Sequence, residues 1–122
     1  MKFQKENKKY SIGLKFALKG IFSFFVKERN AKIHFAAAVV VIATGIYFKL
    51  NLSEWLWIAL SITLVLITEM LNSAIELLCD LTTPEHNEKA GSLKDMAAGA
   101  VLIATIFSLI IALVIFWPRF FV

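Results

Sequence analysis

Residues 68–80 read TEMLNSAIELLCD, from Thr68 to Asp80. The stretch closes an apolar run that begins at Trp55. Glu69, Asn72, Glu76 and Asp80 follow one another at steps of three, four and four residues. On an α-helix, at about 100° per residue, all four fall within an arc of roughly 80°. Met70, Leu71, Ala74, Ile75, Leu77, Leu78 and Cys79 make up the rest of the surface. Three acids and an amide therefore form a stripe on a helix otherwise suited to lipid. A carboxylate inside a bilayer is costly and marks a functional site by default.

The composition supports the lipid setting. The chain has 122 residues, 59% hydrophobic and 18% charged, with a mean hydropathy of +0.74. A soluble domain this small could not cover so much apolar surface. Three long apolar stretches read as membrane spans, at about 33–49, 55–79 and 95–117. The expectation is an all-α integral membrane protein: three transmembrane helices and an N-terminal amphipathic surface helix in one domain, 1–122. Residues 8–27 supply the surface helix, with Lys8, Ser11, Lys15, Lys19, Ser23 and Lys27 as a narrow polar stripe among large apolar residues. The first thirty residues are rich in Lys and lack a small-residue cleavage site, so they do not read as a signal peptide. The single Cys79 excludes an internal disulfide.

Charge placement sets the orientation. Lys2, Lys5, Lys8, Lys9, Lys15, Lys19, Lys27, Arg29 and Lys32 all precede the first span, while the next loop carries only Lys49 and Glu54. By the positive-inside rule the N-terminus is cytoplasmic, the loop 81–93 is cytoplasmic and Arg119 lies outside. Anionic lipid headgroups are a simpler partner for this basic end than nucleic acid. Ser53 reads as an N-cap with Glu54 in the first turn, and Trp55 and Trp57 suit the outer aromatic belt. Measured from Trp55, Glu76 lies about 32 Å along the helix, near the inner edge of a core roughly 30 Å thick. Glu69 is about 10 Å deeper and Asp80 about 6 Å closer to the cytosol. Glu28, just before the first span, reaches the depth of Glu76. In the loop, Thr83-Pro84 opens a short helix over 84–90, Gly91 stops it, and Ser92 starts the last helix with Asp95 as capping partner. Ala100, Ala104, Ser108 and Ala112, spaced by four, allow close helix approach.

Each acid has a functional and a plain reading. Glu28 and Glu76 at one depth would repel unless a cation lies between them, and Mg²⁺ prefers carboxylate oxygens and bridges to phosphate. Taken alone, Glu28 pairs with a neighbouring Lys or Arg29. Glu69 could accept a proton from a lipid hydroxyl, carry protons in a channel, or bond across a helix interface. Asn72 either reaches a phosphate or joins helices. Lys94 either neutralises phosphate oxygens or snorkels to the interface. Glu85, His86 and Asn87 form a polar surface stretch. His34 and His86 have no metal-ligand spacing and do not read as a zinc site, and neither G-x-x-x-x-G-K-[ST] nor G-x-G-x-x-G occurs.

E69-M-L-N72-S-A-I-E76-L-L-C-D80, followed by E88-K-A-G-S-L-K94-D95-M-A-A-G-A-V-L-I, resembles the small bacterial integral-membrane diacylglycerol kinases. The resemblance covers nearly the whole chain, and the segment Lys27-Glu28-Arg29-Asn30 with His34 looks like the Gram-positive branch, where undecaprenol kinases occur. It implies a homotrimer in the bacterial inner membrane, with sites at subunit interfaces where MgATP phosphorylates a lipid hydroxyl. By motif, Glu28 and Glu76 are similar to metal ligands for Mg²⁺ and Glu69 to the general base. Glu28, Asn72, Glu76, Glu85, His86, Asn87, Lys94 and Asp95 are similar to residues of the ATP site, and Lys19 and Glu69 to residues that meet the lipid. Phe16 stands where a Tyr is familiar, and Lys9 where an Arg is. The implied activity is a lipid kinase acting on diacylglycerol or undecaprenol. A small channel or proton-relay subunit using the same stripe is the alternative.

Overall fold

The computed structural model describes the backbone of residues 2–83, 85 and 87–121, and the side chains of 13–83, 85 and 87–121. Four helices follow in order: α1 (Lys2–Lys27), α2 (Arg29–Tyr47), α3 (Leu52–Thr82) and α4 (Glu88–Phe121). The last three are long and apolar enough to cross a membrane. Each is longer than the span read from its apolar run, because polar turns extend it beyond the lipid-compatible part. At 31 residues, α3 is about 46 Å long, so it must project beyond a hydrocarbon core of roughly 30 Å.

A single residue separates α1 from α2. Glu28 adopts an extended conformation, φ −93° and ψ 124°, at the N-cap of α2. The chain is bridged there by Glu28 N–H donating to Phe24 O and Lys32 N–H to Glu28 O. Phe24 and Ala31 are buried at this joint. Further back along α1, Leu14, Phe16 and Leu18 are exposed.

The α2–α3 connection is short and closely fitted. α2 ends in a Schellman motif: Leu50 N–H donates to Gly45 O and Lys49 N–H to Ile46 O. Lys49 takes the left-handed position, with φ 54°. Leu50 turns inward and is buried. Gly45 is required because a Cβ there would lie 2.7 Å from the Trp55 ring and 2.9 Å from Leu50. The N-cap of α3 is Asn51, two residues before the expected Ser53. Asn51 Oδ1 accepts from Glu54 N–H at 2.9 Å, and Glu54 Oε1 accepts from Asn51 N–H at 3.2 Å. Asn51 prevails because it has an acid three residues on, whereas Ser53 has Leu56 there. Glu54 also receives Arg119 from the end of α4, at 2.8 Å to each carboxylate oxygen. This clasp joins the start of α3 to the end of α4.

At the other turn, α4 begins at Glu88 and runs without a break through Gly91. The expected short helix over 84–90 does not form as a separate element: residue 85 is a bend and 88–90 are the first turn of α4. Residues 84 and 86 lie outside the described residues. Asn87 supplies the cap, accepting Lys89 N–H at 2.9 Å and Ala90 N–H at 3.3 Å. Continuing through one glycine costs about 1 kcal/mol, less than ending and recapping a helix. Ser92 and Asp95 are therefore interior residues and not caps.

α3 packs mainly on α4, and α2 makes the lesser contact with α3. Leu50, Ile58 and Ile115 form a buried cluster with Val41, Phe48, Trp55, Ile62, Ile111 and Phe116 around it, beside the α2–α3 turn. On α4 the buried small residues are Ala97 and Ala104, with Ser108 and Ala112 half-buried and Ala100 exposed. A strict spacing of four drifts by about 40° per step around a helix of 3.6 residues per turn. The interface consequently alternates threes and fours, and Ala100 falls off it.

Gly45→Ala should destabilise the protein by about 1–3 kcal/mol through overpacking against Trp55. Lys49→Gly should stabilise it by roughly 1 kcal/mol by relieving the left-handed backbone. Unfolding midpoints of the two variants in one detergent should move in opposite directions.

Candidate active site

The acidic stripe of α3 is shared between two neighbours. Glu69 is buried, with 4% of its surface exposed. Its Oε1 lies 3.1 Å from Nε2 of His34 on α2. At the opposite end, Asp80 Oδ1 accepts from Lys94 Nζ of α4 at 2.8 Å. That pair is open to solvent, with side-chain exposures of 66% for Asp80 and 39% for Lys94. Between them, Asn72 Nδ2 donates to Glu76 Oε1 at 3.4 Å. Asn72 Oδ1 is buried and finds no partner among the described residues. The spacing of four that aligned these residues in sequence is what lets Asn72 reach Glu76.

These contacts fix register. α2 and α3 run antiparallel, and the His34–Glu69 bond defines which residues lie opposite one another. Moving six residues toward the N-terminal end of α2 reaches Glu28, and seven toward the C-terminal end of α3 reaches Glu76. At 1.5 Å per residue these steps are about 9 and 10 Å. Glu28 and Glu76 thus share a level, and His34 and Glu69 share a deeper one. The side chain of Glu28 makes no cap hydrogen bond despite its N-cap position, so its carboxylate is not consumed in holding the helix. Glu76 is exposed and has only the long Asn72 contact.

Two oxygen-donor carboxylates at one level are the donor chemistry of a hard divalent cation that retains waters and phosphate. No group of three or more His, Cys, Asp or Glu side chains comes together among the described residues. The described residues of one chain therefore do not form an enclosing cage of acids. Lys94 is engaged with Asp80, about one helical turn beyond Glu76 toward the α3–α4 turn. This gives Asp80 a partner that the sequence had left open. Asp95 is exposed next to Lys94, Glu85 is exposed in the α3–α4 loop, and Asn87 caps α4. His86 lies outside the described residues. Lys19 is exposed on α1. Among the described residues, Lys19, Glu85 and Asp95 make no hydrogen bond or ion pair with the acidic stripe.

From sequence, His34 entered only through its lack of metal-ligand spacing with His86 and the resemblance of its segment to the Gram-positive branch. A hairpin signal could have found it: folding α2 onto α3 about Asn51 and Leu52 sets residue 34 opposite residue 69. His34 also stands at the inner end of an apolar cavity of about 290 Å³ between α2, α3 and α4, lined by Ala37, Ala38, Val65, Leu66 and Leu109 among others.

Comparison with known proteins agrees with the layout. The family model for prokaryotic diacylglycerol kinase matches residues 15–116. The chain is 42% identical over 101 residues to an undecaprenol kinase of Bacillus subtilis strain 168, covering 83% of this chain and 82% of that one. It is 37% identical over 101 residues to a diacylglycerol kinase of Synechocystis sp., covering 82% of this chain and 58% of that longer protein. It is 30% identical over 105 residues to the diacylglycerol kinase of Escherichia coli K12, covering 86% of each. With its three spans and its acidic stripe in register, the chain belongs to the prokaryotic diacylglycerol kinase family, a family of lipid kinases.

Proposed function

We propose that this kinase moves the γ-phosphoryl group of ATP onto a hydroxyl of a membrane lipid, either diacylglycerol or undecaprenol. One observation carries the reading within the family: a buried carboxylate, Glu69, lies one tier deeper than the level shared by Glu28 and Glu76. A lipid hydroxyl approaches from the hydrocarbon side and a nucleotide from the cytosol, so the two tiers match the two reactants. The apolar cavity beside His34 is in keeping with an acceptor that carries long hydrocarbon chains.

In this reading the lipid oxygen attacks the γ-phosphorus, the bond to the ADP oxygen breaks, and the hydroxyl proton passes to Glu69. Positioning and charge neutralisation supply most of the catalysis. Glu28 and Glu76 would hold Mg²⁺, which when bound neutralises phosphate oxygens. Asn72 keeps Glu76 aligned. Lys94, within reach of the nucleotide level, offsets charge on the phosphates, with Asp95, Glu85, His86 and Asn87 around the nucleotide. Lys19 faces the lipid headgroup level from α1, which lies on the inner membrane surface. The N-terminus is cytoplasmic and the membrane is the bacterial inner membrane, in keeping with the basic residues before α2. A homotrimer completes the site: the acids of one chain form no enclosing cage among the described residues, and the exposed faces of α2 and α4 leave room for neighbouring subunits. The channel and proton-relay reading has no support, since the family is one of kinases and the stripe's deep and outer acids are engaged by His34 and Lys94.

Purified protein given labelled ATP, Mg²⁺ and diacylglycerol or undecaprenol in micelles should yield labelled lipid phosphate with at least one acceptor. Glu76→Gln should abolish that product while the protein still inserts and assembles; full activity would sink the metal assignment. Asp80→Asn should leave the unfolding midpoint close to that of the wild type, since exposed ion pairs contribute little.

A further inference from the structure

We infer that His34 is a positioning residue for the reaction: it holds the Glu69 carboxylate in the orientation that receives the lipid hydroxyl. The inference rests on the assignment of Glu69 as general base. Three observations carry it. Nε2 of His34 is 3.1 Å from Glu69 Oε1, across an interval of 35 residues and between separate helices. Among the described residues this is the one side-chain hydrogen bond that joins α2 to α3. Finally, Glu69 is buried, and His34 is the one hydrogen-bond partner of its side chain among the described residues.

A glutamate has three side-chain torsions, and a free carboxylate samples many arrangements. General-base catalysis needs the accepting oxygen within hydrogen-bond reach of the proton it removes. With His34 Nε2–H donating to Oε1, that oxygen is occupied and Oε2 is the one presented to the acceptor alcohol. This geometry requires a proton on Nε2, the ring nitrogen that faces the carboxylate. A carboxylate on α3 is thereby tied to the helix that also carries Glu28 six residues away. The same bond that orients the base sets the register at which Glu28 and Glu76 meet. His34 touches neither nucleotide nor metal level, and its effect is transmitted through Glu69.

The test compares His34→Ala and His34→Gln with Glu69→Gln, in the full-length protein in micelles. Gln offers an amide N–H near the position of Nε2 but cannot exchange protons, so it separates holding from proton relay. His34→Ala should lower kcat by roughly 10- to 100-fold, the range for a misplaced reacting group, with KM for ATP and for lipid changed less than about threefold. His34→Gln should recover at least one third of the wild-type kcat. Wild-type kcat in His34→Ala, or a loss in His34→Gln equal to that in His34→Ala, overturns the positioning role while an inactive Glu69→Gln leaves the base assignment standing. Full activity of Glu69→Gln overturns both. Should His34→Ala fail to assemble, the His34→Gln kcat decides by itself.

Discussion

The constraint on which the structure depends is the cost of keeping the Glu69 carboxylate away from water. An ionised carboxyl in a low-dielectric setting is tolerated only with a hydrogen-bond partner or in the protonated form. His34 is the partner this chain provides. Because His34 stands on a different helix, satisfying Glu69 also sets how α2 lies along α3. The polar contact is thus a register device in a place where apolar packing is weak. α2 exposes Phe35, Val39, Val40 and Ile46, and lipid supplies no hydrophobic force to press such a face against another helix.

The two ends of the bundle are built differently. At the α2–α3 turn Leu50, Ile58 and Ile115 are buried together, and Arg119 closes on Glu54. At the α3–α4 turn the contacts are polar and sparse: Lys94 on Asp80, Asn72 on Glu76. The buried Ala97 and Ala104 let α4 approach α3 beside the acids.

Much of this was legible in the sequence, for physical reasons. Apolar runs of membrane length and the clustering of lysines before the first one allowed the three spans to be placed. The steps from Glu69 to Asp80 placed the acids on one face because helical geometry leaves no alternative. Caps were harder to read. Ser53, Gly91 and Ser92 carry ordinary start and stop signals, yet Asn51 and Asn87 took the capping roles because each could satisfy backbone donors at less cost. His34 stayed hidden since its role depends on two helices at once. Spacing along one helix is blind to a partner 35 residues away. Asp80 was ambiguous for the same reason until Lys94 was found beside it.

The outer turn has a consequence at a distance. Between Phe48 and Asn51 the chain reverses through a motif with one residue in the left-handed region, a glycine that admits the Trp55 ring and a reciprocal cap. That turn is the fulcrum of a lever whose far tip is Glu28, about 30 Å away along α2. A tilt of about 5° at the fulcrum displaces the tip by roughly 2.5 Å, comparable to a metal–oxygen bond length. Stiffness at this turn therefore sets the gap between the Glu28 and Glu76 carboxylates at the opposite end of the bundle, and a cavity at the fulcrum would be felt there as slack.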